Sequence, residues 1–187
     1  LNLHLADALG NYLSYYGWEI SQREKVVSAD TFDLKKWTKS QILDAKNQRY
    51  FQVWQHRKAL GDLSRSDLFD ALHPGTFPKE IRGTLRDAVT YMWATELSNT
   101  ATWQPQHESQ VHQLDLDSLL HQTPPAVDPS DRRIHPISRV SWLLAEHEAW
   151  HLANGRRPAA LEAFLMRITG LHARFENRVS RAQIVSV

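Results

Sequence analysis

The chain has 187 residues, a hydrophobic content of 42%, seven Trp and no Cys, long enough for a proper core. Without cysteine, disulfides, thiolate-bound zinc, iron–sulfur clusters and Cys nucleophiles are excluded, so any metal must be held by His and carboxylates. Charge is nearly balanced, 22 Lys and Arg against 21 Asp and Glu, which removes the global polycation that nucleic-acid binding favours. There is no stretch of about 18 apolar residues to span a membrane, and a cytoplasmic protein is expected.

Leu5, Ala8, Leu9, Tyr12, Leu13 and Tyr16 predict a first helix that stops at Gly17. Residues 18–30 carry only the β-leaning Val26-Val27-Ser28. From Phe32 to Leu60 there is neither Gly nor Pro, and the apolar spacing predicts one long helix or two, ending at Gly61. Ser66 should cap a short helix from Asp67 to Leu72. His73-Pro74-Gly75-Thr76 reads as a turn, after which Thr76 and Pro78 open a helix to about Ser98, with Ile81, Leu85, Ala88 and Met92 on one face. A polar connection with Trp103 and Pro105 precedes a helix from His107 to His121. Residues 123–136, rich in proline, form a long loop. The expectation is therefore all-α: a single-domain helical bundle over 1–187, with a helical hairpin near 137–180.

That hairpin holds the most informative stretch, His147-Glu148-Ala149-Trp150-His151, an HExxH pattern. Two His four residues apart stand one above the other on a helix face and can ligate one ion, leaving Glu148 as the candidate general base. Ile137, Val140, Leu144, His147 and His151 follow the 3-4 spacing of a core-facing seam, so both imidazoles should point inward. Asn154-Gly155 predicts a helix end and Pro158 a new start. Across that turn Glu162 is the expected third ligand, with His172 and Glu176 in reserve. Two His and one carboxylate with an open position describe a catalytic zinc, or another divalent metal, acting on a small-molecule substrate.

A different reading rests on Lys35, Lys36, Trp37, Lys39, Arg49, Tyr50, Trp54, Arg57 and Lys58, which interleave cations with aromatics as a nucleic-acid surface does. On that reading the chain is a non-enzymatic nucleic-acid-binding or assembly subunit. A third has Trp18, Trp37 and Trp103 as anchors in a partner interface. Phosphate-cradling Gly loops and the GxSxG elbow are both missing.

The stretch HEAWHLANGRRPAALEAFL, with His147, Glu148, His151, Gly155 and Glu162, resembles the motif of the Coq4-like family of ubiquinone-biosynthesis proteins. Glu148 stands where that family has Asp, and His151 and Glu162 are one residue closer together. The resemblance covers about 30 residues. It implies a zinc-type site in a helical bundle with His147, His151 and Glu162 as ligands and Glu148 as acid/base. It also implies an apolar cavity lined by Trp142, Trp150 and Phe164 for an isoprenoid-tailed substrate, peripheral membrane contact, and a homo-oligomer or complex subunit.

Overall fold

A computed structural model describes residues 1–23, 33–64, 77–121 and 126–187. Among these residues all regular structure is helical apart from one antiparallel bridge, Ser64 to Thr84. No described helix is long and apolar enough to cross a membrane. The chain divides into two compact units, residues 1–56 and 57–187.

In the first unit, α1 (Asn2–Tyr15) packs along α3 (Lys39–Trp54), with the short α2 (Gly17–Ser21) between them in sequence. Of the one long helix or two expected from Phe32 to Leu60, the described residues hold two, α3 and a short helix over Arg57–Leu60 that stops at Gly61. A 3-10 turn at Leu34–Lys36 ends at Trp37, and Thr38 then opens α3 with a capping box, its hydroxyl accepting from Gln41 N–H while Gln41 accepts from Thr38 N–H. Two satisfied donors at a helix start outweigh the absence of a breaker residue. Ile42, Leu43, Tyr50 and Trp54 are buried.

The second unit carries α4 (Arg57–Leu60), α5 (Leu85–Ser98), α6 (Pro105–Gln110), α7 (Leu116–Leu120), α8 (Pro136–Ala153), α9 (Arg157–Arg174) and α10 (Arg178–Val185). Two boundaries differ from expectation. The helix anticipated from Thr76 or Pro78 begins at Leu85, because Thr84 and Asp87 form the capping box. Met92 is consequently half-exposed while Val89, Trp93, Ala94 and Leu97 face inward. The single helix expected over 107–121 is broken at Leu114, where Asp115 caps α7 through Ser118 N–H. The expected short helix at 67–72, the turn at 73–76 and Val26–Ser28 lie outside the described residues.

The α8/α9 hairpin is as the sequence leads one to expect. Gly155 takes φ +69°, the left-handed conformation that glycine adopts at least cost. Arg156 N–H reaches back to His151 O and Gly155 N–H to Leu152 O, so the last carbonyls of α8 are satisfied in a Schellman arrangement. An apolar core joins α7, α8, α9 and α10 through Leu119, Leu120, Ile137, Leu171, Phe175 and Ile184. At the other end of α8, His135 is the N-cap. Its Nδ1 accepts from Ile137 N–H at 3.1 Å, and its Nε2–H donates to His107 O at 2.9 Å.

That cap requires a neutral imidazole. Burial lowers the pKa of His135, and it lowers that of His107 as well, helped by His135, Arg132 and Arg139. His107 uses Nδ1 in the same way, accepting from Gln104 N–H at 3.2 Å. A folded pKa below the unfolded value of about 6.5 means full stabilisation above that pH, lost as pH falls toward the folded value. Thermal unfolding of the metal-free chain should therefore show a falling Tm between pH 7 and pH 5. His135→Asn, which keeps a capping acceptor without a titrating ring, should flatten part of that slope. An identical slope in the variant would remove His135 from the account.

Candidate metal centre

Three side chains from two helices meet inside the second unit. His147 and His151 come from α8 and are 0% and 1% exposed; Asp87, on α5, is 1% exposed. Asp87 Oδ1 lies 3.0 Å from His147 Nε2 and 2.9 Å from His151 Nε2, and the two Nε2 atoms are 3.2 Å apart. Among the described residues this is the group of His and carboxylate ligand atoms close enough to hold one metal ion.

The separations are those of hydrogen bonds, and the two Nε2 atoms are aligned for one with each other, but the two edges to Asp87 are not. Neither ring presents an N–H along the line to Oδ1, which has no hydrogen-bond partner by direction. Three donor atoms instead form the corners of a small triangle. With metal–ligand bonds of ~2.05 Å, neighbouring ligand atoms stand roughly 2.9 Å apart at 90° and roughly 3.3 Å apart at the tetrahedral angle. The observed edges of 2.9 to 3.2 Å fall between these limits. Donor set and spacing both fit a divalent transition metal.

Charge and protonation agree with that use. Burial is the largest influence on His147 and brings its pKa down to about 4, against the opposing pull of Asp87, so the ring is neutral at pH 7. Burial alone would raise Asp87, yet its contacts with His147 and His151 hold it well below the carboxylate range. A neutral imidazole and an ionised carboxylate are the ligand forms a metal requires.

Each ligand is oriented from behind. Asp87 Oδ2 accepts the Thr84 N–H at 2.7 Å, which leaves Oδ1 for the histidines. Trp150 stacks on His147 with centroids 5.6 Å apart and planes at 16°, and meets His151 at 4.6 Å. Arg86 lies over the same indole, 4.2 Å from the ring centre, and is paired with Glu146 at 2.8 Å. Gly61 is required by this stack, since a Cβ there would come within 2.5 Å of the Trp150 ring. Both Nδ1 atoms are buried without a hydrogen-bond partner.

The two glutamates singled out in the sequence are engaged elsewhere. Glu148 accepts from Arg167 Nη2 at 2.9 Å, and Arg167 Nη1 also donates to the carbonyls of Leu119, Leu120 and His121. Arg167 is 1% exposed and ties the C-terminal end of α7 to α8 and α9. Glu162 is paired with Arg82, whose guanidinium is stacked between Phe77 and Tyr91. Asp87 stands where the sequence pointed to Glu162. His172 and Glu176 are likewise outside the group.

Trp150 and Phe164 also have other occupations: Trp150 on the imidazoles and Phe164 near the Arg167 guanidinium. An apolar cleft exists two helical turns away along α8, lined by Leu97, Trp103, Ile137, Val140, Gly170 and Leu171. Of the basic and aromatic residues at 35–58, Trp54 is buried, Lys36 is paired with Asp33, Arg49 bonds Gln52, and Arg57 is paired with Glu146. Lys35, Lys39 and Lys58 are exposed. Trp18 is 81% exposed, whereas Trp103 packs against the core.

Asp87 was missed, although its signal was present. Thr84-x-x-Asp87 followed by an apolar run is a helix-start pattern, and a carboxylate locked in such a box has one oxygen left to offer.

No family model, curated protein or solved structure matches the chain.

Breaking the Glu148–Arg167 pair should cost stability rather than metal. Arg167→Met, which leaves a buried carboxylate and three carbonyls without their donor, should destabilise by about 3–5 kcal/mol in denaturant unfolding. Glu148→Gln should lose less and leave the metal content of the folded protein unchanged. Metal loss in Glu148→Gln at full folding would instead place Glu148 at the ion.

Proposed function

We propose that this chain is a metal-dependent enzyme whose centre is Asp87, His147 and His151, with zinc as the first candidate ion. The observation that carries the reading is the triangle of three buried ligand atoms from two helices, spaced for one cation, in which Asp87 Oδ1 has no aligned donor. Three protein ligands leave at least one position for water or substrate, which is the mark of a catalytic zinc rather than a closed structural one. The same two-histidine, one-carboxylate set also suits ferrous iron, and the identity of the ion separates the two chemistries.

The ion would act as a Lewis acid and lower the pKa of a bound water toward neutrality. What the chain itself contributes is a dry, oriented set of donors. On this reading Glu148 serves as the counter-ion of Arg167 instead of the base that the HExxH spelling suggests. Hydrolysis or elimination on a small molecule is the chemistry this set would support, with Asp87, His147 and His151 holding an ion that would activate water. The Coq4-like resemblance supports the same class through His147 and His151, with Asp87 supplying the acid in place of Glu162.

Elemental analysis of purified protein should find about one transition-metal ion per chain. His147→Ala and Asp87→Ala should each weaken metal affinity by more than ~100-fold, beyond the loss expected for an outer partner of a ligand. Glu162→Gln should retain the ion. Retention in Asp87→Ala with loss in Glu162→Gln would reverse the ligand assignment, and a folded protein that binds no metal would leave the triad as a buried polar cluster.

A further inference from the structure

Around the triad stand donors that nothing in the described chain satisfies. The Tyr91 hydroxyl, Thr90 Oγ1 and Arg86 Nε are all buried without a hydrogen-bond partner, and all three lie on α5 within about one turn of Asp87. Buried polar groups of native proteins are nearly always paired, so three such orphans together call for a cause. Tyr91 is the best placed. It follows Asp87 by four residues and so shares its helix face. Its ring meets that of His147 at 86° with centroids 5.3 Å apart. Arg82 lies 3.9 Å over the Tyr91 ring and is anchored by Glu162, which packs the phenol in place. The ring is thus fixed against a metal-site histidine while its buried hydroxyl has no acceptor of its own.

Charge points to what the acceptor is. Arg167 with Glu148, and Arg82 with Glu162, are neutral pairs. A divalent ion over a single ionised Asp87 and two neutral imidazoles carries one uncompensated positive charge. The three protein ligands are at most 1% exposed, and an unpaired charge at that depth is costly. Compensation has to come from the open coordination position.

Resting on the metal-centre reading above, we propose that this position takes a monoanionic ligand, hydroxide at rest and an anionic group of the substrate in turnover, and that Tyr91 donates a hydrogen bond to it. Tyr91 is then a selector of charge and position. It explains why a phenol is buried beside the metal ligands, and why the acid that the sequence proposed as a ligand is spent on holding Arg82 against that phenol.

The test uses the full chain loaded with Co(II) and azide as the monoanion, followed through the visible ligand-field bands. The wild type should bind about one cobalt per chain and show a saturable change with azide. Tyr91→Phe, which removes a single oxygen, should keep its circular dichroism and cobalt content but bind azide about tenfold more weakly, the loss expected for one hydrogen bond to a charged group. Unchanged azide affinity in that variant overturns the role of Tyr91. A cobalt-loaded wild type whose spectrum ignores azide overturns the anionic ligand, and that arm needs no variant to fold. Failure of the folded wild type to take up cobalt overturns the metal reading and this step with it.

Discussion

Two imidazole nitrogens and one carboxylate oxygen converge within about 3 Å of each other in the interior of the second unit, and the rest of that unit is arranged to keep them there. Such convergence is costly on its own. An ionised carboxylate at 1% exposure loses most of its hydration, and Asp87 Oδ1 receives no aligned donor from either ring in return. A divalent cation among the three atoms would turn the crowding into coordination.

Local sequence choices supply the positioning. Thr84 starts α5 with a capping box that uses one Asp87 oxygen and frees the other. Four-residue spacing on α8 puts His147 and His151 on a common face. Gly155 ends that helix, and the return of Arg156 N–H to His151 O fixes its last turn. Trp150 packs against Arg86 and both imidazoles and so supports the rings where they stand. Arg167 braces the hairpin through four hydrogen bonds, three to the end of α7 and one to Glu148. Side chains that could be taken for surface charges are interior struts.

Much of this was legible in the residues. The all-α class, the hairpin, the glycine cap and the inward seam of Ile137, Leu144, His147 and His151 follow from period and punctuation, which are local properties. What was not legible is pairing across distance. Glu162 and Asp87 are both acids within reach of the seam on paper, and nothing in a one-dimensional reading shows that Arg82 claims the first while Thr84 aims the second. In the same way, Glu148 reads as a base until Arg167, nineteen residues on, is seen to take it. The misplaced start of α5 had the largest consequence, because putting it at Thr76 or Pro78 hid the capping box that brings Asp87 to the two histidines.

X-ray absorption at the edge of the bound metal addresses the centre most directly. The account predicts a first shell of nitrogen and oxygen at roughly 2.0–2.1 Å with outer scattering from two imidazole rings, reduced to one ring in His151→Ala. A shell of oxygens alone, or a two-imidazole signal that survives His151→Ala, would show the ion to be bound elsewhere and would contradict it.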